Sequence, residues 1–95
     1  MKAAACISNS RRAGNLTTND VIAKFFSISG MSIITSTYWN DSHGMNPDET
    51  INDKEAMQTL RNLARNMAYY LKMRELAKDI NEPEIEKKEY TNFIR

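Results

Sequence analysis

Two short apolar runs stand on either side of a single helix-length segment, and that arrangement limits what the chain can become. The first, "AAACIS" (residues 3–8), is apolar without alternation, as in a strand buried on both faces. The second, "MSIITST" (residues 31–37), is rich in β-branched residues and reads as another strand. Between them "LTTNDVIAKFFSISG" reads as a helix of about eleven residues. Thr17 or Thr18 is placed to cap it, Asp20 complements its dipole, and Gly30 is suited to end it. Val21, Ile22, Phe25, Phe26 and Ile28 give it one apolar side. A strand–helix–strand unit makes its two strands parallel and its crossover right-handed.

Residues 38–50, "YWNDSHGMNPDET", read as loop, because they combine turn formers with no apolar period. A long helix follows, capped by Asn52 with Glu55 as a capping-box partner, and runs to about Ile80. Met57, Leu60, Leu63, Ala64, Met67, Leu71, Leu76 and Ile80 share one face of it. Pro83 stops the helix, and residues 81–95 form a charged tail ending in Tyr90, Phe93 and Ile94, apolar enough to dock. The 95 residues thus read as a single partial α/β domain with two parallel strands and helices on both faces. Two strands make a poor sheet, and open edges recruit partners. Completion by self-association is the expectation.

Charge and cysteine usage narrow the function. The net charge is +1 and no long single-sign block occurs, which argues against nucleic-acid binding. Cys6 is the only cysteine, so no internal disulfide and no cysteine-based zinc or iron–sulfur ligand set is available. It is expected to be inert within a buried strand, in a reducing, cytoplasmic setting. The opening "MKAAACISNSRR" has too short an apolar stretch for a secretion signal, and no segment approaches the length of a membrane span.

Three segments together carry a resemblance. "SRRAGNLTTNDVIAKFFSISGMSII", "YWNDSHGMNPDETINDKEAMQTLRNLARNMAYYLK" and the terminal "TNFIR" resemble the C-terminal half of flavodoxin-like NAD(P)H-dependent FMN reductases. The branch most similar contains iron–sulfur flavoproteins and multimeric flavodoxins. Members carry an Arg-x-Gly-Gly-Gln-Glu-x-Thr loop, a Trp-containing loop with a glycine, and a helix of the "RNLxxNMAxxL" type. Here Arg11, Gly14 and the threonines keep the loop pattern, while Ala13, Asn15 and Leu16 depart from it.

The resemblance implies a three-layer flavodoxin-like fold in which this chain supplies the fourth and fifth strands. The phosphate-holding half of the FMN site would then come from a complementary N-terminal chain or a longer parent, or be lacking altogether. It also implies that Ser8, Asn9, Ser10, Arg11, Arg12 and Gly14 border the flavin ring. Electron transfer from NAD(P)H through FMN is the implied activity of the completed protein. The alternative is a self-associating remnant without flavin. Arg11 and Arg12 either face a flavin or nicotinamide phosphate or are solvated. Tyr38 and Trp39 either stack on a ring system or wedge the loop against the core or an interface. His43, the sole histidine, reads as a loop residue, and the methionines as core filling.

Overall fold

The computed structural model describes residues 1–94; Arg95, the last residue of the tail, lies outside them. Strands β1 (Ala3–Ala4) and β2 (Ser8–Ser10) precede helix α1 (Asn15–Ile28). Strands β3 (Ser32–Ile33) and β4 (Asp41–His43) follow, then helices α2 (Pro47–Asn52) and α3 (Lys54–Leu76). The chain is an α/β protein with two parallel two-stranded sheets, β1 with β3 and β2 with β4.

The two sheets are one ladder interrupted. Ala4 pairs with Ile33 and Ser8 with Asp41, so four steps on one strand span eight on the other, an excess of four residues. The second strand leaves the ladder after Ile34, whose N–H donates to the Ala4 carbonyl at 2.8 Å. It returns at Asn40, whose carbonyl accepts from the Ser8 N–H at 3.2 Å. Residues 35–39 arch out between these points. Backbone that leaves a ladder needs other partners; α3 supplies one, at Thr35, and holds the arch further through the Ser36 and Thr37 side chains. Asn66 Nδ2 donates to the Thr35 carbonyl at 2.8 Å, Ser36 Oγ donates to the Thr59 carbonyl at 2.6 Å, and Asn62 Nδ2 donates to Thr37 Oγ1 at 3.2 Å. Further along, the Tyr70 hydroxyl donates to Ser32 Oγ. The helix therefore runs antiparallel to the segment it covers.

Several expectations are corrected. The second strand does not run unbroken over residues 31–37, and the supposed loop at 38–50 contains β4 and α2. α1 begins at Asn15 after Gly14, whose φ of 95° places it in the left-handed region that glycine tolerates. Neither threonine caps it; Thr18 Oγ1 instead donates back to the Gly14 carbonyl. Asp20 lies beyond the first turn. The cap of α3 is Asp53, not Asn52, and its carboxylate accepts from the Ala56 N–H. α3 ends at Leu76 rather than Ile80. Cys6 sits between β1 and β2, half-buried and outside the ladder. In the tail, Tyr90, Phe93 and Ile94 are all exposed and dock on nothing among the described residues.

The core is thin. Among the described residues the buried apolar side chains are Ala4, Ala56 and Leu63 only. The accessible surface is 8307 Å², against about 5,600 Å² for a compact protein of this mass. The radius of gyration is 17.3 Å, against about 12 Å for a compact chain of this length. The exposed tail contributes to both differences, and so do the helices. On α1, Ile22 and Phe26 turn partly inward while Val21, Phe25 and Ile28 form an outward stripe. On α3, Leu60, Leu63 and Met67 are covered, but Leu71 and Leu76 are exposed.

Candidate functional site

The carboxyl ends of β2 and β4 lie side by side, Ser10 opposite His43. In parallel sheets this is where loops converge on a ligand. What holds the two strands there is side-chain chemistry, since both are polar. Asn9 faces Ser42 across the ladder, and Ser42 Oγ donates to Asn9 Oδ1 at 2.9 Å. The Asn9 amide nitrogen donates to the Gly44 carbonyl at 3.0 Å. Gly44 is required: a Cβ there would stand 2.8 Å from the Thr50 Cα, with the Thr50 backbone nitrogen nearer still.

Behind the strand ends, Asn15 uses every polar atom of its buried side chain. Its Nδ2 donates to the Ser42 carbonyl at 3.1 Å and to His43 Nε2 at 3.2 Å, and its Oδ1 accepts from the Leu16 N–H. These bonds settle the histidine. With Nε2 accepting, the ring proton is on Nδ1, which lies 3.8 Å from Asp53 Oδ2. The same Asp53 oxygen accepts from the His43 N–H at 3.0 Å. The hydrogen bond from the Ala56 N–H holds the Asp53 carboxyl below the usual aspartate range, partly opposed by burial and assisted by His43. His43 is therefore a joint between strand and helix, with its basic nitrogen already engaged.

The six residues singled out as flavin contacts divide by role. Ser8 is buried and donates to the Asn15 carbonyl at 2.7 Å. Asn9 bridges to Gly44 and Ser42, and Gly14 turns the chain into α1. Those three build the scaffold. Arg11 and Arg12 are exposed and make no ion pair or hydrogen bond among the described residues. Ser10 Oγ is buried without a hydrogen-bond partner.

The structure adds two clefts. One, of about 430 Å³, lies between α1 and the 35–39 arch; the other, of about 410 Å³, lies between Asn15, Asp41, His43 and the start of α3. Leu16, Tyr38 and Trp39 border both, so the two aromatic rings form a partition. Their centroids are 6.1 Å apart, with the planes tilted by 53°. No family model, curated protein or solved structure matches the chain. Among the described residues no helix is long and apolar enough to cross a membrane, and no cluster of three or more His, Cys, Asp or Glu side chains is arranged to hold a metal.

Sequence reasoning missed Asn15, Ser42 and Asp53 as the groups that fix this corner. For Asp53 a signal existed, since an aspartate three residues before Ala56 is a good helix cap. A second lay in Asn46-Pro47, a cap followed by a proline suited to the first helical position. Nothing in the sequence marks Asn15 as buried.

Proposed function

We propose that the chain supplies one wall of an FMN site in a flavodoxin-like assembly, completed by a second copy or by a complementary N-terminal chain. The observation that carries this reading is the Arg11–Arg12 pair, two guanidinium groups without partners among the described residues, at the carboxyl ends of two parallel strands. This donor set suits a ring whose reduced form carries negative charge: the arginines hold and orient it, and Gly14 lets backbone approach closely. Bound FMN would supply hydride and electron transfer, with NAD(P)H as donor. The isolated chain, with half the site, is expected to be inactive. The surface excess and thin core support assembly. We assign the protein to a reducing, cytoplasmic setting on its single cysteine.

FMN titration of the purified chain, alongside its mass in solution, tests the proposal. Flavin uptake should follow the assembled species and weaken when Arg11 and Arg12 are both replaced by alanine. Tight uptake by a compact single protomer would overturn the shared site. Stable assembly without uptake would favour a second reading, a self-associating module with no flavin, which the exposed Val21, Phe25 and Ile28 stripe supports.

A further inference from the structure

We propose that the free edge of the β1–β2 strand pairs with the same edge of a second copy, antiparallel about a two-fold axis at Cys6, to make one continuous sheet. The inward side of this strand is already used. The Lys2 and Ala4 carbonyls, the Ser8 N–H and the Ser10 carbonyl all bond to the neighbouring strand. Those residues are even-numbered, so alternation turns the backbone groups of Ala3, Ala5, Ile7 and Asn9 outward. Among the described residues β1 and β2 each have a neighbour on one side only. The segment from Ala3 to Ser10 also holds no charged residue and no proline, the side chains that ordinarily guard an edge against pairing.

The edge is complementary to itself in one register. Antiparallel strands exchange backbone bonds in reciprocal pairs. Setting Ala3 against Asn9 of the copy, and Ala5 against Ile7 of the copy, pairs all of the outward residues with one another; a shift of two residues either way leaves one of them outside the match. In that register Cys6 faces Cys6 of the copy as a pair without hydrogen bonds, with Cα atoms about 4.5 Å apart, within the span of a disulfide. Cys6 lies beside Leu16, Asn19 and Ala23 of α1, and the two-fold axis keeps both α1 helices on one face of the joined sheet. Surface is available: the accessible area stands roughly 2,700 Å² above that of a compact protein of this mass, a difference in which the exposed tail shares. A standard interface takes about 800 Å² from each partner. At each end Met1 and Lys2 meet Arg11 and Arg12 of the copy. Glu82, bonded to the Met1 amine, offsets part of that repulsion, and salt screens the rest. The two arginine loops come to opposite ends of the joined sheet, so this pairing neither needs flavin nor closes a flavin site by itself.

The experiment uses the full-length, flavin-free chain. Light scattering under reducing conditions is expected to give a dimer that strengthens as salt is raised. Diamide, which takes up the two thiol hydrogens, should then link the dimer through Cys6. Cys6→Ser should keep the dimeric mass and lose the covalent link. Ala5→Cys in the Cys6→Ser background moves the thiol by one residue and sets the paired Cα atoms about 8 Å apart. That separation is beyond disulfide reach, and linking should slow at least about tenfold. Hydrogen exchange gives a measure that involves no thiol: the Ile7 and Asn9 amides should be protected in the dimer and lose protection on dilution. A monomer at every salt concentration, equal linking rates from residues 5 and 6, or a dimer whose Ile7 and Asn9 amides exchange freely would each overturn the pairing.

Discussion

Replacing Asn15 with alanine tests whether the strand-end corner is held by one side chain. Asn15 is buried, and the substitution removes its bonds to the Ser42 carbonyl, to His43 Nε2 and from the Leu16 N–H. Each such bond contributes about 1 kcal/mol net. The Leu16 N–H, in the first turn of α1, can turn to water, which trims the sum to between about 2 and 3 kcal/mol. A domain of this length has a total stability of roughly 5 to 14 kcal/mol, and the thin core places this one toward the lower end. With a urea dependence of about 1 kcal/mol per molar, the midpoint should fall by about 2 M. The assay is urea unfolding followed by Trp39 emission and far-ultraviolet circular dichroism, at one fixed protein concentration because assembly shifts apparent stability. Asn9→Ala is the comparison, since Asn9 makes as many bonds on the exposed side of the same ladder. There water replaces the lost partners, and the shift should stay under about 1 M. Equal shifts for the two variants, or a fall of less than about 0.5 M for Asn15→Ala, would refute the argument.

Three further outcomes follow from single contacts. Gly44→Ala should lower Tm by roughly 8 °C or more, because its Cβ would meet the Thr50 backbone and overpacking costs about 1–3 kcal/mol; an unchanged melt would show that α2 yields freely. Asp53 has its carboxyl held low, so its contribution is present above the unfolded-state value and is lost as pH falls through the lower folded-state value. Asp53→Asn keeps a capping oxygen but no charge, so it should lower stability at neutral pH, flatten the acid limb of a stability–pH curve below roughly pH 4 and meet the parent in strong acid; an unaltered acid limb would assign that limb to other carboxylates. Phe25→Glu places a charge at a side chain that is 67% exposed within the outward stripe of α1. Light scattering should show a smaller assembly if that stripe is covered by another chain, and no change in mass would remove it from any interface.

The strand–helix–strand unit was legible because hydrophobic runs and helix periodicity are local signals. The six-residue flavin expectation resolved into scaffold and free groups only with the fold in view, since Ser8, Asn9 and Gly14 owe their roles to partners distant in sequence. β4 escaped notice because Asp41, Ser42 and His43 have poor strand propensity, and it is Asn9 and Asn15, far away along the chain, that hold them in a ladder. The arch was hidden for a different reason. "IITST" reads the same whether it continues a ladder or leaves one, and the four-residue excess is a property of two registers compared, not of either strand. The outward stripe on α1 was legible as apolar but not as exposed, since periodicity shows which residues share a side and not whether anything covers it.

That arch also decides which sheet edge a partner can extend. An added strand needs an unbroken row of outward N–H and C=O groups. The strand carrying β3 and β4 has no such row, because residues 35–39 leave the plane and are bonded to α3. The strand carrying β1 and β2 advances without excess residues. Its Lys2, Ala4, Ser8 and Ser10 backbone groups point inward to the paired strand. Alternation therefore turns the Ile7 and Asn9 N–H groups outward. Ile7→Pro removes one outward donor and no inward one, at a position where an edge strand accepts proline. If assembly proceeds by strand addition at this edge, the variant should remain folded by circular dichroism and lose its higher-mass species. Retention of the full assembly by folded Ile7→Pro would exclude this edge and leave the outward face of α1 as the surface through which chains meet.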